Sequence, residues 1–178
     1  MTVSYTKKMA VWYGICSVVW MGILLLLVHK ANPSFVVGNF QVGFSVKFLR
    51  YGITEAVKAL FIYLLISLIP YLGGLRIPAL YYAMFTGASL AAIILAIKSG
   101  NLGTGLVSVL MFVVRMIFYL ALTWLAAEVI NNNKFVQSDS YLKRWWLSLL
   151  QTVKKLWLPV LATGVILIVF NAVFVNGK

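Results

Sequence analysis

The sequence predicts an all-α integral membrane protein with about five transmembrane helices plus one basic amphipathic interfacial helix. Three observations carry that prediction. Apolar residues make up 63% of the chain, against roughly 45–50% in soluble domains, and charged residues only 10%, against about 25%. Mean hydropathy is +1.00, and 178 residues cannot bury that much apolar surface within themselves. The apolar residues also fall in runs of about 20, enough to cross a bilayer, between turns rich in glycine, proline and lysine. Residues 1–178 therefore read as a single membrane domain.

Met9 to Val28 (9–28) is the first span, entered behind Lys7 and Lys8. It reads as an uncleaved helix and not a secretory signal, because it is a full bilayer long and no small-x-small site follows. From Asn39 to Phe48 the chain alternates, with Phe40, Val42, Phe44, Val46 and Phe48 on one parity. That is the period of a strand. Three readings stand: an apolar loop on the membrane surface, a short strand that pairs with a partner's sheet edge, and an interfacial helix.

The second span, 53–72, reaches bilayer length only by admitting Glu55 and Lys58. Three residues apart on a helix, these can pair or snorkel. Pro70, Gly73, Gly74 and Pro78 mark a turn around Arg76. The third span, 79–97, carries two rows of small residues at four-residue spacing: Ala83, Gly87 and Ala91, and Ala88, Ala92 and Ala96. Small residues let helix backbones approach closely in lipid, so two rows place this helix at the centre of the bundle. A glycine-rich turn from Lys98 to Gly105 leads into the fourth span, 106–130.

From about 140 to 157, Leu142, Trp145, Trp146, Leu149, Leu150, Val153 and Leu156 recur at three- and four-residue steps. Lys143, Arg144, Lys154 and Lys155 flank that stripe. Such a helix lies in the head-group plane; it reads as a cytoplasmic extension of the last span held by lipid phosphate, or as a docking face for a cytoplasmic protein. The fifth span, 158–175, is entered through Pro159 in its first turn, where proline is tolerated.

The net charge is +12, and its lysines and arginines mostly flank apolar runs. Their expected partner is the anionic head-group layer; no nucleic acid is expected. Five spans with the amino terminus cytoplasmic leave the carboxyl terminus outside. Eight cations then lie inside (Lys7, Lys8, Arg76, Lys134, Lys143, Arg144, Lys154, Lys155) against six outside (Lys30, Lys47, Arg50, Lys58, Lys98, Lys178).

Catalytic and ligating residues are few. One cysteine, one histidine and three carboxylates offer neither the four ligands of a structural zinc site nor the HExxH, GxSxG or phosphate-loop motifs. No enzyme, metal or cofactor is expected. Arg115 is the ionisable group deep within a span, where charge by default marks function. Glu128, thirteen residues on, is about 20 Å away at 1.5 Å per residue, so Glu55 on a neighbouring helix is the candidate partner. Structural neutralisation, a polar conduit and contact with another subunit are the readings of Arg115.

From Phe48 onward, the order of features resembles the stage II sporulation protein M family of bacterial membrane proteins. The stretches that carry the likeness are Leu49 to Leu72, Thr86-Gly-Ala-Ser-Leu-Ala-Ala, the turn Gly100-Asn-Leu-Gly-Thr-Gly105 with the long span behind it, and the basic connection to a closing span. The chain departs from the family's pattern at Met111–Met116, which lacks a proline with polar neighbours, and at Asn171, where an acidic residue is usual. The resemblance implies a five-span scaffold in the bacterial cytoplasmic membrane; the sporulation member holds cell-wall hydrolases together. The expected function is a non-catalytic scaffold or anchoring subunit of an envelope complex, with other membrane or envelope proteins as partners. The alternatives are a small transport subunit, either a permease or the substrate-binding component of an importer, and an immunity protein against membrane-active peptides.

Overall fold

In lipid, a backbone N–H or C=O has no water to bond, so each apolar run satisfies its own ladder as a helix. The computed structural model describes residues 2–31 and 40–176. Five helices account for most of them: α1 (Thr2–Ala31), α2 (Val46–Ser67), α3 (Arg76–Lys98), α4 (Leu102–Asn132) and α5 (Tyr141–Val173). Two short strands, β1 (Phe40–Val42) and β2 (Phe174–Asn176), and a 3-10 turn at Leu72–Leu75 complete the order. Four segments are long and apolar enough to cross a membrane: Ser4–Lys30, Leu72–Lys98, Leu102–Asn132 and Tyr141–Val173. Helix α2 is not one of them, because Lys47, Arg50, Glu55 and Lys58 all fall within its 22 residues.

Helix α2 nevertheless runs the length of the bundle, antiparallel to α5. At one end β1 pairs with β2, Phe40 opposite Asn176, and the Gly43 and Ser45 amides donate to the Val173 and Ala172 carbonyls at 2.9 and 3.0 Å. At the other end the Tyr141 hydroxyl donates to the Leu68 carbonyl at 2.5 Å, and the Trp145 indole donates to the Ser67 hydroxyl at 3.0 Å. Between them the backbones nearly touch: a Cβ on Gly52 would stand 3.1 Å from both the Asn171 Cβ and the Ile168 Cα.

The α3–α4 turn closes on Gly100, whose φ of +70° suits glycine. Asn101 then caps α4 by accepting from the Thr104 amide at 3.1 Å. Gly103 and Gly105 belong to the first turns of α4 and not to the turn before it.

Three expectations are corrected. The alternating segment forms a strand only over Phe40–Val42, and its partner is this chain's own carboxyl-terminal strand; Asn39 lies outside the described residues, and Val46 to Phe48 already belong to α2. The basic helix expected over 140–157 and the span expected over 158–175 are one uninterrupted helix of 33 residues, about 50 Å long, so the basic part does extend the last span, but not as a helix lying on lipid. Its first half packs on protein: Ser148, Leu149, Thr152 and Leu156 are buried, and Asn132 of α4 donates to Thr152 at 3.0 Å. Pro159 thus sits inside a helix. The third correction concerns the centre of the bundle. Helix α3 packs on α1 and α4 and barely meets α2, whereas α4 packs on all four other helices. The core is built around α4 accordingly, with Tyr119, Leu122 and Ile130 buried among Tyr13, Tyr63 and Leu167.

Candidate functional site

In α4, Ser108, Arg115, Tyr119 and Thr123 fall at steps of seven, four and four residues. That spacing keeps all four side chains on one face, and the other helices answer each of the last three. Arg115 meets Glu55 of α2, Nε to Oε1 at 3.2 Å and Nη2 to Oε2 at 3.4 Å. This is a forked pair, the geometry a guanidinium makes with a carboxylate. Arg115 Nη1 donates to the Ser89 hydroxyl at 3.1 Å and to the Phe85 carbonyl at 3.4 Å, both on α3. Its guanidinium stands 5.8 Å from the centre of the Phe85 ring. The Tyr119 hydroxyl donates to Glu55 Oε1 as well. One knot of charge therefore ties α2, α3 and α4, with the Arg115 side chain 12% exposed and that of Glu55 3%.

Below it, Thr123 donates to the Tyr63 hydroxyl at 3.3 Å, and Tyr63 bonds Tyr13 of α1. Ser17 and Thr86 bond at 2.5 Å across the α1–α3 seam. These pairs are the polar groups that membrane helices use to hold one another.

Because α2 and α3 scarcely touch, a cleft lies between them with α4 as its floor. Two cavities occupy it. One, about 250 Å³, is bordered by Phe48, Tyr51, Ser89, Ser108, Arg115 and Asn171. The other, about 130 Å³, is bordered by Thr54, Glu55, Lys58, Tyr81, Tyr82 and Phe85. Tyr51 borders both. The Tyr82 hydroxyl is buried without a hydrogen bond among the described residues. A separate apolar groove of about 350 Å³ lies between α2, α4 and α5.

The structure brings Arg115 and Glu55 together and leaves Lys58 out. The carboxylate that could have paired with Lys58 along α2 is turned to α4 instead, and Lys58 is exposed at the edge of the cleft. Of the small-residue rows, Ala83, Gly87 and Ala91 are buried, and Gly87 faces α1. In the offset row only Ala96 is buried, beside Gly105 of α4; Ala88 and Ala92 border the larger cavity. On α5, Lys143 and Lys154 are exposed, and Lys155 reaches Glu128 at 3.0 Å. Arg144 lies over the Tyr141 ring at 5.8 Å. Trp146 is 54% exposed, whereas Trp145 is anchored to Ser67.

Sequence reasoning missed Ser89, Tyr119, Thr123 and Tyr63. The four-residue row on α4 was there to be read, since Tyr119 and Thr123 follow Arg115 at exact helical steps. Ser89 and Tyr63 carry no such mark on their own helices. Compared with protein-family models, curated proteins and solved structures, the chain matches none.

Proposed function

We propose that this chain is a non-catalytic scaffold or anchoring subunit of a bacterial envelope complex, a multi-pass protein with α2 as its fifth crossing. The observation that carries the reading is the use made of the intramembrane charges. A charge at this depth either holds the bundle together through a partner or marks a substrate path. Here Arg115 is engaged by Glu55, Ser89 and the Phe85 carbonyl, and the result is three helices held in fixed relation. The likeness in feature order to the sporulation M family supports the envelope setting. The 250 Å³ cavity beside Arg115 favours the transport alternative, so the two are tested together. Full-length tagged chain purified from native membranes is expected to bring down an envelope protein near one-to-one. Thermal stabilisation by a member of a vitamin panel, with no protein retained, would replace the scaffold by the importer subunit.

The crossing of α2 has its own test. With Cys16 replaced by alanine, cysteines at Gly43 and Gln137 are expected to react with an impermeant thiol reagent from opposite sides, Gly43 from outside. Reaction of both from the same side would remove α2 from the count of crossings.

A further inference from the structure

We propose that the α2–α3 cleft is the docking site for a transmembrane helix of another protein, and that a carboxylate on that helix pairs with Lys58. The proposal rests on the scaffold reading and names the partner's chemistry. Lys58 lies one turn past Glu55, which is level with Arg115, and Arg115 stands two residues from the midpoint of α4. In a hydrocarbon core of about 30 Å that is close to mid-depth. Charged side chains at that depth almost always pair with one another or with backbone carbonyls, or face the bundle interior or a water-filled cavity. Arg115 obeys the rule within the chain; Lys58 makes no ion pair or hydrogen bond among the described residues. The carboxylate beside it is already neutralised by Arg115, so the cleft holds one positive charge in excess.

Three observations select the occupant. The first is the carboxylate count: the chain has three in all. Glu55 is paired with Arg115, Glu128 meets Lys155 in the last turns of α4, and Asp139 is exposed in the α4–α5 turn. A second copy of the chain thus has no mid-helix carboxylate to offer. The second is depth. Lipid phosphates lie about half the core thickness away, roughly 15 Å, beyond the reach of a lysine side chain. The third is shape. The cleft runs along two helices that leave a gap between them, with Tyr51 and Tyr81 about half exposed on its walls. In hydrocarbon, a helix is the segment that fills such a gap with its own backbone satisfied.

The test compares full-length wild-type chain with Lys58→Met and Lys58→Arg, each purified from native membranes in mild detergent. Wild type is expected to retain a membrane protein with an Asp or Glu in the middle of a span. Lys58→Met should lower its yield about tenfold, the scale of one interhelical polar pair, and Lys58→Arg should keep most of it. Because Lys58 holds nothing within the bundle, the thermal unfolding of Lys58→Met alone should match wild type. Should it not, neutralising the partner's carboxylate to Asn or Gln against the wild-type chain must give the same loss. Retention of the partner by Lys58→Met at the wild-type level overturns the docking site while leaving the scaffold reading in place. A retained partner without an intramembrane carboxylate does the same. A wild-type chain that retains no protein ends both.

Discussion

Replacing Arg115 by leucine is expected to destabilise the bundle by about 3–5 kcal/mol, the range for breaking a buried ion pair from one side. Most of the loss comes from what is left behind. Glu55 keeps the Tyr119 hydroxyl but loses both guanidinium contacts, and it remains buried among α2, α3 and α4. Ser89 and the Phe85 carbonyl lose their shared donor too. Removing the carboxylate as well, in Arg115→Leu with Glu55→Leu, should recover most of the stability, since replacing a whole buried pair by apolar residues is often neutral. Unfolding in detergent measures both variants. Solvent accessibility of a cysteine at Ala59, fully buried on α2, reports whether α2 has left the bundle. An Arg115→Leu protein as stable as wild type would mean that the knot holds nothing, and the scaffold reading would lose its foundation.

The contrast between Arg115 and Lys58 also marks how far the residues alone could be read. Apolar runs gave α3 and α4 within four residues of their ends, and α1 within three of its carboxyl end, although α1 starts at Thr2, seven residues before its apolar run; in lipid the backbone permits little else. Helix α2 was harder for the same physical reason. Its start at Val46 lies in a stretch whose period is two, and its charges make sense only once α4 supplies Arg115. The strand was legible as a pattern over Phe40–Val42, but its partner lies more than a hundred residues away at Phe174–Asn176, and nothing local announces that pairing. In α5 the amphipathic stripe was real, yet stripe and proline together suggested a break that does not occur. Its buried residues meet α4, so the face thought to meet lipid is half occupied by protein.

The two small-residue rows on α3 show the same limit and lead to the second large effect, at Gly87. A row of small side chains says that something comes close without saying what. At Gly87 the neighbour is backbone: a Cβ there would stand 2.7 Å from the Trp20 Cβ, 2.8 Å from the Ser17 carbonyl oxygen and 3.1 Å from the Met21 amide nitrogen. Backbone cannot swing aside as a side-chain end can, so α1 itself must shift. That shift would also pull on the Ser17–Thr86 hydrogen bond next to it. Gly87→Ala is therefore expected to cost about 1–3 kcal/mol, the usual overpacking range, and Gly87→Leu to cost more. Ala92, four residues beyond Ala88 on the offset row, borders the 250 Å³ cavity, and a leucine there has room to enter it. Ala92→Leu should be close to neutral, as should Ile94→Phe, since Ile94 is 41% exposed on the outer surface of the helix. Thermal unfolding of the isolated protein in detergent ranks the four. If Gly87→Ala unfolds no earlier than Ile94→Phe, α1 is not seated against α3, and the close packing that defines this side of the bundle is wrong.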